Sequence, residues 1–423
     1  MRFYLNRESV WGFITLFRNW FIYFLMMDLV LLGPLGILKY ERKIVFGLTV
    51  ILCLVHFIKF RSYSESRFRI PILTLFLGSL IWLIPIPLIY SDNLQLSFEE
   101  WDAFIFLLIP IFYIPSKNEA ARLLKVVFFC TTVLSLFIFI SWVCGSQNQE
   151  DLGKVQNLFS MVYSDSSLFI GNANSELGDF FPRIFFINML WIFVCFLMMP
   201  VFFGSKYISL FWGVILCAGM IISYSRGLWI AYFVALISVS ILSIKNFKLL
   251  SILFISSFFL ASLFFTNQTE FLTQRVASVN NIYADQQASR PADPSASTRK
   301  LQMAFLVNSW RDAKFFGKGW GAYVKDFPGS VDSPYSYEAV PFALLMKIGI
   351  VGVLMMIIWI VSFIFRAASL ASRRFASVLI GVLTFLLVGG MTNPYIFNFI
   401  GMGVLVFVLL IFMNIEFDEN LIE

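Results

Sequence analysis

Residues 299–352 read RKLQMAFLVNSWRDAKFFGKGWGAYVKDFPGSVDSPYSYEAVPFALLMKIGIVG. The stretch opens polar and basic, turns at Gly317, Gly319 and Gly321, and runs without a break into an apolar segment. That segment, 341–365, is long enough to cross a bilayer, which takes roughly 20 mostly apolar residues. A polar loop with its own glycine-rich turn, joined to a membrane helix, is the unit around which the rest of the chain is read.

The composition agrees with a lipid solvent. Hydrophobic residues make up 59% of the chain and charged residues 13%, with 51 phenylalanines. A soluble domain has no use for that much apolar surface. The net charge of +6 is spread over short loops rather than gathered on one face, so no nucleic-acid partner is expected. Cys53, Cys130, Cys144, Cys195 and Cys217 lie in or beside apolar segments and give no disulfide or zinc spacing. The N-terminus shows no cleavable signal pattern.

Twelve apolar stretches qualify as spans: 20–38, 44–60, 71–90, 103–115, 124–144, 184–203, 207–222, 227–243, 249–265, 341–365, 375–390 and 395–413. The fourth is short. The expected fold is therefore all-α and polytopic, with about twelve transmembrane helices. Lys and Arg in the short loops set the orientation. With the N-terminus in the cytoplasm, the inner side collects Arg2, Arg7, Arg18, Lys59, Arg61, Arg67, Arg69, Lys117, Arg122, Lys206, Lys245, Lys248, Arg366, Arg373 and Arg374. The short outer loops hold Lys39, Arg42 and Lys43, and the loop 91–102 is acidic with no basic residue. Both termini are then cytoplasmic, and two long loops, 145–183 and 266–340, face outward. The chain divides into helices one to nine with the first outer loop (1–265), the outer loop 266–340, and helices ten to twelve with a short tail (341–423). Residues 301–315 place Leu301, Phe305, Leu306, Trp310 and Phe315 at helical spacing, so an amphipathic helix along the membrane surface is expected.

A few residues stand out chemically. Arg226 separates two apolar stretches with almost no loop, at the expected outer boundary. Its planar fork suits a phosphate, and the structural alternative is an interfacial anchor. Arg299, Lys300, Arg311 and Lys318 share one segment of the second outer loop, and the alternative is a solvated basic face attracted to anionic lipid. Arg183 ends the first outer loop at the membrane edge and is a further phosphate candidate. Gly317 and Gly319 allow a backbone to approach a ligand closely, with Trp310 as support, although the spacing is not that of a P-loop. Glu338 sits among aromatics at the lip of the tenth span. A raised pKa there suits a general base, against an ordinary interfacial carboxylate. Asp312, Asp326 and Asp332 are rival carboxylates. His56, the sole histidine, lies within the second span and reads as packing; Asp28 is a carboxylate inside the first.

These features together resemble the O-antigen ligase and O-antigen polymerase superfamily of bacterial membrane glycosyltransferases. Three motifs carry the resemblance: Ser225-Arg226-Gly227 followed by Trp229; Arg299 followed by Trp310, Asp312, Gly317 and Gly319; and Lys347, Gly349 and Gly352 at the start of a helix. The resemblance implies a GT-C-like membrane fold in the bacterial cytoplasmic (inner) membrane with its active site facing the periplasm. It implies an inverting glycosyltransferase that needs no metal or other cofactor. The donor would be a glycan on undecaprenyl diphosphate, and the acceptor a glycan or lipid-anchored sugar hydroxyl. A chain-length regulator is a further partner of such enzymes. Carried over, the diphosphate contacts fall to Arg226 and Arg299. Ligases of the family carry a histidine where this chain has Tyr335-Ser336-Tyr337-Glu338, so the sequence looks more like a polymerase of O-antigen, capsule or exopolysaccharide. The alternatives are an O-antigen ligase acting on lipid A-core and, outside the enzymes, a lipid-linked oligosaccharide flippase or other transporter. A two-halved carrier should show a repeat that this sequence lacks.

Overall fold

The computed structural model describes residues 7–32, 39–60, 68–90, 94–145, 149–160, 168–172, 182–186, 188–202, 206–223, 225–264, 294–327, 334–369, 372–392 and 397–415. The described residues are mostly helical, with one antiparallel pair of strands. Its first part comprises α1 (Arg7–Met27) continued by a π-turn (Asp28–Leu32), α2 (Lys39–Phe60), α3 (Arg69–Leu83), α4 (Pro85–Tyr90) and α5 (Leu94–Trp101). A 3-10 helix (Asp102–Leu107) then leads into α6 (Leu108–Phe112), α7 (Lys117–Gly145) and α8 (Gln149–Ser160). Strands β1 (Leu168–Asn172) and β2 (Pro182–Phe186) pair antiparallel, Gly171 opposite Arg183. The remainder is α9 (Met189–Phe202), α10 (Lys206–Ile222), α11 (Arg226–Leu242), α12 (Ile244–Phe264), α13 (Pro294–Arg311), α14 (Val340–Ala368), α15 (Arg373–Thr392) and α16 (Phe399–Ile415).

Each of the twelve apolar stretches overlaps a helix, and among the described residues five helical segments are long and apolar enough to cross a membrane: Trp11–Leu31, Arg69–Tyr90, Lys117–Cys144, Val340–Ala368 and Arg373–Met391. Shorter apolar helices cover Met189–Pro200, Phe211–Ile222, Gly227–Leu242 and Phe399–Met413. Phe, Leu and Ile line both the buried faces and the outer faces, as in Phe129, Ile237 and Phe365, which are more than half exposed. In lipid such exposure has no hydrophobic cost.

Several boundaries differ from the sequence reading, each for a physical reason. The first apolar helix begins well before residue 20, so Arg18 lies inside it rather than in a loop. It is buried because Glu119 at 2.7 Å and the Asn19 amide satisfy it, and its guanidinium lies 4.3 Å from the Tyr113 ring centroid. The sixth stretch starts as strand β2, and helix begins only at Met189. The short fourth stretch is tightly wound. Lys43 meets Asp102 at 3.7 Å, while Phe57 meets Phe112 at a centroid distance of 5.8 Å. The segment from Asp102 to Phe112 therefore matches the height of α2 from Lys43 to Phe57 in fewer residues. The larger 3-10 rise of about 2.0 Å per residue, against about 1.5 Å, makes up much of the difference.

Helices α11 and α15 run antiparallel. Gly389 of α15 faces Leu228 and Ala231 of α11, and Gly381 faces Val239. Asn246 then bonds to Arg374 O and Ser377 at the other end. One end of the bundle thus gathers the start of α11 and the end of α15, and Gly390 and Met391 at that end line one apolar cavity with Val340 and Pro341 at the start of α14.

At that end α14 is broken. Gly349 adopts φ 63° and ψ −172° inside the helix, a conformation open essentially to glycine alone. The break leaves backbone groups that lipid cannot satisfy. The glycine turn satisfies them. Lys318 N donates to Met346 O and Gly319 N to Lys347 O, both at 2.8 Å. In return Ile350 N donates to Lys314 O (3.1 Å) and Val351 N to Phe315 O (3.0 Å). The turn is also sewn to the break between α3 and α4. Trp320 N donates to Trp82 O (2.9 Å), Trp82 Nε1 to Phe316 O (2.7 Å), and Ser97 Oγ to Trp320 O (2.5 Å).

Gly317, Gly319, Gly321 and Gly349 all have positive φ, and a Cβ on Gly349 would lie 2.3 Å from Phe315 O. Gly349→Ala should lower the unfolding temperature of the detergent-extracted protein, with a backbone cost alone of roughly 1–3 kcal/mol. Gly12→Ala, where nothing lies within 4 Å, should not. Equal melting of the two variants would show that the break is not locked in this way.

Candidate active site

The locked turn sets the position of everything around it. From α13, Leu306 is buried against Ala322, Tyr337, Ala339, Ala343 and Met346, with Trp310 and Phe327 packed at the edge. Tyr337 holds the following loop in shape. Its hydroxyl accepts from Val324 N (2.8 Å) and donates to Phe327 O (3.2 Å), and burial pushes that hydroxyl above the usual tyrosine range. Trp310 Nε1 caps the end of α13 by donating to Lys314 O at 3.0 Å. The helix does not lie along a surface by one apolar stripe. Leu306 is buried, Phe305 stacks on Phe327 at 5.4 Å, and Leu301 and Phe315 point outward.

Arg299 and Glu338 come together. Arg299 Nε donates to Glu338 Oε2 at 2.7 Å, and the two side chains are 43% and 51% exposed. The apolar pocket expected around Glu338 is absent; an arginine stands beside it instead. One turn along α13, Gln302 accepts from Ala339 N at 3.3 Å and is itself buried. Residues three apart share a helix face, so Arg299 and Gln302 clip the start of α13 to the start of α14.

The other expected residues sit apart from this pair or beyond what is described. Arg311 is exposed and bonds Asn308 at 3.3 Å. It lies twelve residues along the helix from Arg299, about 18 Å of axis. Lys318 Nζ meets Asp312 and Ser309, each at 3.0 Å. Gly317 and Gly319 approach the protein's own backbone rather than an open space: their Cβ positions would meet Lys347 O and the Pro87 ring. Arg226 is the first residue of α11 and Arg183 lies in β2, but both side chains fall outside the described residues, as does Asp332. The backbone around Arg226 is tightly drawn. Met220 O accepts from both Ser223 Oγ (2.7 Å) and Trp229 Nε1 (3.0 Å), which folds the end of α10 onto the start of α11. This gives Trp229 of the Ser-Arg-Gly motif a structural role.

One pair went unnoticed in the sequence. Lys347, in the tenth apolar stretch, is buried and bonds Glu100 from the acidic loop 91–102; the two side chains are 5% and 10% exposed. Lys347 Nζ also donates to Tyr335 O (2.6 Å), and Glu100 Oε2 accepts from Gly321 N (2.7 Å). The signal was available: a lysine within an apolar span needs a named partner, and the acidic loop has no base of its own.

Beside the lock lies an apolar cavity of about 680 Å³. It runs along α14 from Trp320 and Pro341 to Arg366, between α3, α15 and α16.

Removing one member of a buried ion pair strands the other charge, at a cost of about 3–5 kcal/mol. Lys347→Met or Glu100→Gln alone should therefore lower the unfolding temperature strongly, and the double variant should recover part of the loss. Additive losses in a double-mutant cycle would contradict a direct pair.

Comparison with known families adds one match: residues 211–357 fit the family described as O-antigen ligase. The matched stretch runs from α10 into α14 and contains Arg226, Arg299, the glycine turn, Glu338, Lys347 and Gly349. No curated protein matches the chain. Several apolar helices and the match to the O-antigen ligase family make this a membrane protein, and over residues 211–357 the chain is similar to that family.

Proposed function

We propose that this protein is a polysaccharide polymerase that transfers a glycan from undecaprenyl diphosphate to an acceptor sugar hydroxyl at the outer face of the bacterial cytoplasmic membrane. All twelve apolar stretches then cross the bilayer, with both termini inside. The acceptor hydroxyl's oxygen attacks the anomeric carbon, the bond to the diphosphate breaks with its electron pair leaving on the diphosphate, and the hydroxyl's proton passes to water. Negative charge grows on that leaving group, and fixed cations at a water-poor boundary stabilise it most where it grows. Arg226 and Arg299 take this role, and the transfer runs without a metal.

The observation that carries the reading is the meeting of ends. The first residue of α11 is Arg226, α11 opens beside the end of α15, and the end of α15 lines one apolar cavity with the start of α14. Arg299 is clipped to that beginning through Glu338. The apolar cavity along α14 supports a lipid-linked donor, because an isoprenoid chain needs an apolar path beside a polar head site. Tyr335-Ser336-Tyr337-Glu338 in place of a histidine favours polymerase, whereas the matched family's description favours ligase.

Arg226→Ala and Arg299→Ala should each abolish chain extension while the protein still inserts, read by gel profiles of surface polysaccharide. Full-length polymer from both variants would end the proposal. A chelator should leave transfer intact in membranes; a loss that Mg²⁺ restores would refute the metal-free mechanism. A deletion strain should accumulate single repeat units on the acceptor, whereas unattached polymer on undecaprenyl diphosphate would indicate the ligase.

A further inference from the structure

We infer that Glu338 is a positioning residue that holds Arg299 from behind, leaving the guanidinium's outer edge for a pyrophosphate group. The inference rests on the proposed role of Arg299 and goes beyond it by assigning Glu338 to the arginine rather than to the proton of the acceptor.

A guanidinium carries five donors in a planar fork. Glu338 engages only one of them, Nε, through a single oxygen at 2.7 Å. Among the described residues the two terminal nitrogens make no other hydrogen bond or ion pair. Those are the nitrogens that grip a phosphate with two parallel bonds. A flexible arginine 43% exposed would lose rotamer freedom on binding such a ligand, and a partner on Nε removes part of that freedom beforehand.

The arrangement is built, since both partners are anchored. Arg299 stands one turn before Gln302, which is buried and bonded to Ala339 N, and two turns before the fully buried Leu306. Glu338 follows Tyr337, whose ring is buried and whose hydroxyl bridges Val324 and Phe327. The contact is therefore a product of the same small core that seats α13 on α14.

Glu338→Gln keeps an oxygen acceptor on Arg299 Nε and removes the charge, while Glu338→Ala removes both. Comparing the two separates the hydrogen bond from the carboxylate. The full-length protein in nanodiscs would be titrated with inorganic pyrophosphate, and transfer followed with a lipid-linked donor. E338A should bind pyrophosphate about tenfold more weakly and raise the donor KM more than it lowers kcat. E338Q should recover most of both. The pH profile of kcat should keep its acidic limb in E338Q, and thermal unfolding of each variant would establish folding. If E338Q is as impaired as E338A and loses the acidic limb, Glu338 works by proton transfer and the inference is wrong. If E338A binds pyrophosphate like the unaltered protein, there is no positioning to explain. Arg299→Ala is the separate control: undiminished pyrophosphate binding there overturns the role of Arg299, and Glu338's with it.

Discussion

A helix interrupted inside a membrane protein must find partners for the backbone groups it releases. In this chain the partner is the glycine turn. Four hydrogen bonds join residues 314–319 to residues 346–351 in both directions. Gly349 makes the break, and Gly317 and Gly319 let the turn reach it, because a side chain at any of the three would occupy space held by backbone or by the Pro87 ring. Gly317, Gly319, Met346, Lys347 and Gly349 are buried, and an unsatisfied backbone group in such a place costs a few kcal/mol. The turn and the break therefore form together, and the loop residues on either side take their places from them.

That constraint explains why charges gather where they do. Lys347 is two residues before the break, and Glu100 binds both its ammonium and the N–H of Gly321, so an acidic loop far away in sequence closes the same joint. On the other side of the turn, α13 packs through Leu306 and Gln302 and brings Arg299 to Glu338. One pair is buried and holds the joint shut. The other is half exposed and keeps donors open to solvent. The difference in exposure separates a structural pair from one that can meet a ligand.

Much of this was legible from the residues. Apolar length marked the long helices of the scaffold, and the run from Arg299 to Gly352 was recognisable as a polar segment with a glycine turn leading into an apolar helix. The glycines stood out, but sequence could not show whether a close backbone approach serves a ligand or the protein itself; packing decided for the protein. Arg18 was misplaced because a cation next to Trp20 reads as a loop residue until Glu119, a hundred residues away, is seen to neutralise it. The fourth stretch looked short because its length was judged by the α-helical rise, and its 3-10 part climbs further per residue. Glu100 was missed because its partner is distant in sequence: residues 91–102 read as a loop, whereas Glu100 lies on α5, which the tertiary fold brings to Lys347.

The central claim is that Arg226 and Arg299 hold one pyrophosphate at the end of the bundle where α11 and α14 begin. The most direct test is an electron cryomicroscopy structure of the protein with undecaprenyl diphosphate bound in nanodiscs. The account predicts density for the diphosphate between the two guanidinium groups, with the bonds between the glycine turn and Gly349's helix unchanged. A diphosphate held elsewhere, or two arginines too far apart to share it, would contradict the account.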